Sequence, residues 1–92
     1  MTQININILH GNRSVGDDDR SRAEDAALAV LDSAGVTVAD AYAEFQRQWA
    51  EFDDYGLMTG LAAVWIEAEQ AADLALTAGW ANPDGASCSI DA

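Results

Sequence analysis

Residues 3–8 alternate without interruption: Ile4, Ile6 and Ile8 fall on one face of an extended chain and Gln3, Asn5 and Asn7 on the other. That is the period of a half-buried strand. A lone strand cannot satisfy its own backbone N–H and C=O groups, so it needs a partner. The internal candidate is residues 87–91, where Cys88 and Ile90 alternate in the same way. Failing that, the strand pairs with a second copy of the chain or with the sheet edge of a target. Between them residues 10–20 read as a polar loop holding Gly11 and Gly16, and the rest as three helices followed by a turn. The expected fold is therefore mainly α (α+β): an N-terminal strand, a three-helix bundle, and a short C-terminal strand pairing with the first, in one domain spanning residues 1–92.

Ser21 and Glu24 have the spacing of a capping box, and Asp17, Asp18 and Asp19 stand where a helix N-terminus favours negative charge. They predict a first helix from about residue 18 or 21 to residue 34, stopped by Gly35, with Ala27, Leu28, Leu31 and Ala34 inward. Thr37 reads as the next N-cap. A second helix should run to about residue 54, with Val38, Ala41, Tyr42, Phe45, Trp49 and Phe52 on one narrow apolar face. A third should run from residue 57 or 58 to residue 78, before Gly79. Leu57, Leu61, Val64, Trp65, Ala68, Ala72, Ala75 and Leu76 form its main face, while Ile66 and Leu74 project from the opposite side. A helix apolar on two sides is expected to be central, its second face covered by the strand layer or a partner. Residues 82–85, Asn-Pro-Asp-Gly, carry a strong turn signal. Trp65 and Trp49 are assigned to core faces, and Trp80 to sealing the core beneath that turn.

The charge balance narrows the choice of partner. The chain has no lysine, four arginines and 16 acidic residues, for a formal net charge of −12. Arg13, Arg20 and Arg22 are offset by Asp17, Asp18 and Asp19, so Arg47 alone faces the remaining acids. Such a surface repels nucleic acid and anionic membrane and attracts basic protein surfaces. Half the residues are apolar and three are tryptophan, which is too hydrophobic a mixture for a disordered acidic tail. No stretch approaches the ~20 apolar residues of a membrane span, and the first residues lack the basic region of a signal peptide. With a lone Cys88, the expectation is a soluble protein of a reducing cytoplasm.

Motifs for chemistry fail on inspection. Gly11 and Gly16 have the spacing of a phosphate-binding loop, but Asp17 and Asp18 occupy the Lys-Ser/Thr positions and would repel phosphates. Asp17, Asp19, Ser21 and Asp25 resemble part of a calcium loop, yet Arg22 replaces its glycine and Leu28 its bidentate glutamate. One histidine, His10, and one cysteine make no zinc site of their own. The sequon at Asn12 has no signal peptide to give it meaning. Asp32-Ser33 evokes the phosphopantetheine site of acyl carrier proteins, but Ser33 ends a helix rather than opening one. No enzyme activity, cofactor or metal is expected.

What remains is a row of charges. Asp40, Glu44, Arg47, Glu51 and Asp54 follow i, i+4, i+7, i+11, i+14, one stripe opposite Tyr42, Phe45 and Trp49. At 1.5 Å per residue it is about 21 Å long, with side chains spaced comparably to the phosphates of one nucleic-acid strand. Asp40, Glu44, Glu51 and Asp54 are accordingly the expected partner-binding residues. In size, charge and layout the chain resembles the small acidic inhibitors encoded by bacteriophages, anti-CRISPR proteins and other nucleic-acid mimics. The resemblance implies a cytoplasmic inhibitor in the bacterial host. It would bind a basic nucleic-acid-handling protein, above all a CRISPR effector subunit, without touching nucleic acid or membrane. The alternative is an assembly module that homodimerises or lends its N-terminal strand to a partner sheet, for which the second apolar face of the third helix also speaks.

Overall fold

The computed structural model describes residues 4–11, 15–81 and 86–92. Two strands and three helices follow in the order β1 (Asn5–Gly11), α1 (Asp17–Ala34), α2 (Val38–Phe52), α3 (Leu61–Leu76) and β2 (Ala86–Asp91), with a 3₁₀ turn at Tyr55–Leu57 before α3. The expected turn at residues 82–85, Asn12 with its sequon, and most of the glycine-flanked loop lie outside the described residues.

β1 and β2 form a two-stranded antiparallel sheet in which Asn5 faces Asp91, Ile6 faces Ile90 and Ile8 faces Cys88. The isoleucine alternation explains this register. Ile4, Cys88 and Ile90 are buried on the inner face, and a slip of β2 by one residue would turn Cys88 and Ile90 to solvent. On the outer face the Asp91 carboxylate receives Asn5 Nδ2 at 3.0 Å and Asn7 Nδ2 at 2.7 Å, tying the strands through side chains as well. The register shifts between Ile8 and His10, a local irregularity beyond which pairing resumes with His10 opposite Ser87 and Gly11 opposite Ala86.

α3 is central, packing against α1, α2 and β2. Its junction with α1 is built from small side chains. Ala23, Ala27 and Leu31 on α1 and Ala68, Ala72 and Leu76 on α3 repeat at i, i+4, i+8 and are all buried. With methyl groups at four of those positions the backbones can approach closely, which is the structural use of an alanine-rich sequence. Beside this seam Trp65 is fully buried, covered by Tyr42 and Phe45 of α2 at ring-centroid distances of 4.9 and 6.4 Å. Its Nε1 finds no hydrogen-bond partner among the described residues.

The helix ends follow local chemistry, at places that differ from expectation. α1 starts at Asp17 with Gly16 as N-cap, and the Asp19 carboxylate accepts the Gly16 N–H at 3.3 Å. Ser21 therefore sits inside the helix, because the three aspartates stabilise an earlier first turn. Inward rotation brings Ala23 to the core and leaves Ala34 exposed. Gly35, at φ 72°, ends α1 as expected, its N–H bonding Asp32 O while Val36 N bonds Leu31 O. Thr37 caps α2 through Oγ1, which accepts the Asp40 N–H at 3.2 Å.

α2 ends at Phe52, because Asp53 turns to a left-handed conformation (φ 51°). α3 begins only at Leu61, three or four residues later than its pattern predicts, after the 3₁₀ turn and Gly60 at φ 60°. The missing first turn of α3 leaves the C-terminal turn of α2 uncovered. Trp49 and Phe52, assigned from periodicity to the core, are 42% and 39% exposed. Their place in the stripe is taken by Gln48, which is buried. Leu57 is likewise exposed rather than part of the α3 face. Of the two residues on the second face of α3, Ile66 is half-buried and Leu74 stays exposed.

Candidate binding surface

Two arginines on α1 are committed to the fold. Arg22 reaches across to the C-terminal end of α3, where Nε donates to Ala75 O at 3.1 Å and Nη2 to Leu76 O at 3.4 Å and Ala78 O at 3.3 Å. α3 has no basic residue in its last turn, so the cation its dipole favours comes from a neighbouring helix. Asp19 steadies the guanidinium at 2.7 Å, and this contact holds the Asp19 carboxyl below the usual carboxylate range. Arg20 Nη1 donates to Ile6 O at 3.1 Å, joining α1 to β1.

Two acids on α3 are committed as well. Asp73 Oδ1 accepts the Cys88 N–H at 3.0 Å and Glu69 Oε2 accepts the Ile90 N–H at 3.5 Å. Spaced i, i+4, the carboxylates act as a surrogate strand along the edge of β2 and block it against further pairing. Burial raises the Glu69 pKa above the carboxylate range. Burial, with Asp73 and Glu69 adding repulsion, pushes the Cys88 thiol up to about 11. The thiol is inert at neutral pH.

The four acids expected to form the interface are not equivalent. Asp40 lies exposed in the first turn of α2. Glu44 is drawn inward: both its oxygens lie 3.1 Å from Arg47 Nε, and Gln48 Nε2 donates to Oε1 at 2.9 Å. The arginine, then the glutamine, hold its pKa down to about 2. Glu51 is exposed and meets Arg47 Nη1 at 3.2 Å. Asp54 leaves the stripe altogether, since α2 has ended; its Oδ1 accepts the Gly56 N–H at 2.8 Å and caps the 3₁₀ turn. The helical row thus shortens to Asp40, Glu44 and Glu51, about 17 Å at 1.5 Å per residue, with Arg47 in its middle.

The wider surface is nonetheless acidic. Arg20, Arg22 and Arg47 all bind oxygens of their own chain, while Asp17, Asp18, Asp25, Asp32, Asp40 and Glu67 stand exposed. α1 and α2 meet at 92°, and the elbow holds an open cleft of about 490 Å³ with Leu28, Val36 and Val38 as apolar lining and Asp25 and Asp32 beside them. Among the described residues no group of three His, Cys, Asp or Glu side chains could hold a metal ion, and no single helix is long and apolar enough to cross a membrane.

Sequence reasoning missed a second feature, an exposed aromatic corner where α2 passes into the 3₁₀ turn. Trp49 and Tyr55 meet edge-on at 5.2 Å, and Phe45 joins them at 6.2 and 5.7 Å. Tyr55 is 42% exposed and its hydroxyl donates to Glu69 Oε1 at 3.3 Å. Gln48 fixes the following loop, accepting the Thr59 N–H and donating to the Thr59 carbonyl, both at 3.0 Å. The available signal was the Asp53-Asp54 break, which ends the helix just after two aromatics. Compared with known protein families, with curated proteins and with solved structures, the chain matches none.

Proposed function

We propose that this protein is a non-catalytic inhibitor that occupies a basic, nucleic-acid-binding protein surface in place of phosphate, as anti-CRISPR-type phage proteins do, with a CRISPR effector subunit as target. The observation that carries this reading is the use of the arginines. Arg20, Arg22 and Arg47 are all consumed by internal contacts, so on the described surface the exposed carboxylates remain available to cations from elsewhere. Carboxylates offered to arginine and lysine form the charge-assisted hydrogen bonds that phosphates would form.

The test is competition. Labelled duplex bound to a purified CRISPR effector should be displaced by the protein at low salt and progressively less at high salt. Asp40→Lys with Glu51→Lys should remove the displacement, while Glu44 and Asp54 are left in place because they hold Gln48, Arg47 and Gly56. Displacement unaffected by the double reversal, or by salt, sinks the proposal.

A further inference from the structure

We infer that the binding energy is centred on the aromatic corner formed by Trp49, Phe52 and Tyr55, which docks a basic partner presenting an apolar side chain flanked by arginines. This rests on the reading of the protein as a binder of basic surfaces and locates the energetic centre of that contact. Trp49 and Phe52 lie one turn apart on α2, and Tyr55 packs edge-on against Trp49. Each of the three is about two-fifths exposed. Glu51, Asp53 and Asp54 alternate with them along the chain, so aromatic faces are interleaved with carboxylates.

That combination has a specific complement. A guanidinium can lie flat on an indole or phenol ring while its N–H groups reach a carboxylate beside it, and the ring edges take up an apolar side chain. Tryptophan and tyrosine are also the residues that most often dominate interface energetics. The corner is held before any partner arrives. The Gln48–Thr59 bonds fix the loop behind it, the Tyr55 hydroxyl is tied to Glu69, and Asp54 caps its own turn. Such preorganisation leaves little ordering entropy to lose on binding.

A second copy of this chain is the wrong occupant. Two molecules of net charge −12 would bring Glu51, Asp53 and Asp54 face to face, and Arg47, the nearby cation, is already engaged by Glu44 and Glu51. A basic partner instead gains from the long-range field of the whole surface and then from the rings at contact.

The experiment titrates the protein with three synthetic amphipathic helical peptides: one of leucine and arginine, its lysine twin, and a twin with serine for leucine. Calorimetry gives the affinities. The arginine peptide should bind several-fold tighter than the lysine twin and at least about tenfold tighter than the serine twin. Trp49→Ala should cost about tenfold or more. Phe52→Ser should do the same; it lies outside the ring contacts of Phe45, Trp49, Tyr55 and Trp65, and circular dichroism of both variants checks the fold. Full affinity in both folded variants overturns the inference. If Asp40→Lys with Glu51→Lys then still abolishes binding, the charge reading stands without the corner. If no peptide binds and no nucleic acid is displaced, both fall. A dimer in sedimentation at micromolar concentration that Phe52→Ser dissolves would assign the corner to a second copy and overturn the choice of partner.

Discussion

Replacing Gln48 tests whether a buried amide, rather than an apolar side chain, holds the α2–α3 corner together. Its side chain is 4% exposed and makes three hydrogen bonds: two at 3.0 Å with the Thr59 backbone and one at 2.9 Å to the Glu44 carboxylate. Gln48→Leu keeps the volume and removes all three. Each neutral bond contributes about 0.5–1.5 kcal/mol net, and the exposed Thr59 backbone can recover water, so the expected loss is about 2 kcal/mol. For a domain of this size that lowers the melting temperature by roughly 8–16 °C. Gln48→Glu is the sharper variant. It keeps an acceptor for the Thr59 N–H but sets a carboxylate against Glu44 and against the Thr59 carbonyl. At neutral pH it should destabilise more than leucine does, and the gap should close near pH 5 as the new acid takes up a proton. Urea titrations followed by tryptophan fluorescence and circular dichroism give both numbers. A leucine variant within about 0.3 kcal/mol of the parent, or a glutamate variant more stable than the leucine one at pH 7, would refute the assignment.

Three further outcomes follow from the charge and hydrogen-bond geometry. Glu69, whose pKa is raised in the fold, adds stability that is fully present below the ordinary glutamate range and lost as pH rises through the raised value; Glu44, lowered to about 2, adds stability present above that range and lost as pH falls towards 2. Thermal melts should therefore rise from pH 7 to about pH 5 and fall below about pH 4, with Glu69→Gln flattening the first slope and Glu44→Gln the second. Cys88, with its thiol near 11, should react with iodoacetamide at pH 8 on the order of a hundredfold more slowly in the folded protein than in urea, and equal rates would show the thiol to be accessible. Arg22→Ala should cost about 1–2 kcal/mol and speed amide exchange at the end of α3, with Arg22→Lys recovering part of the loss because a point charge meets the helix dipole without the fork; unchanged melts would reduce Arg22 to a surface ion pair.

The sheet was legible because its signal is local: three alternating isoleucines needed a partner strand, and residues 87–91 were the internal candidate beside a second copy or a target's sheet edge. Gly35 and Thr37 were legible for a similar reason, each acting on groups within a few residues. Gln48 was not, since its burial depends on a backbone eleven residues away that hydrophobic periodicity does not see. The same blindness put Trp49 and Phe52 in the core. Their spacing fits the stripe, but the start of α3 that would have covered them was replaced by a 3₁₀ turn. Asp54 fell out of the acidic row for a related reason, because a left-handed Asp53 ended the helix at Phe52, two residues earlier than its pattern predicts. Of the expected interface, Asp40 and Glu51 keep exposed carboxylates, while Glu44 and Asp54 are tied to structure.

The pairing of Asn5 with Asp91 sets an order for events on the ribosome. β1 emerges ahead of the three helices and must wait, unpaired, until β2 has been made. In the meantime the α1–α3 alanine seam can close, whereas the Asp73 and Glu69 carboxylates meet their strand only once β2 is made. Closure of the sheet is thus expected to follow the emergence of all three helices. In pulse proteolysis of stalled nascent chains, protection of β1 should appear only once residues 86–91 have cleared the exit tunnel.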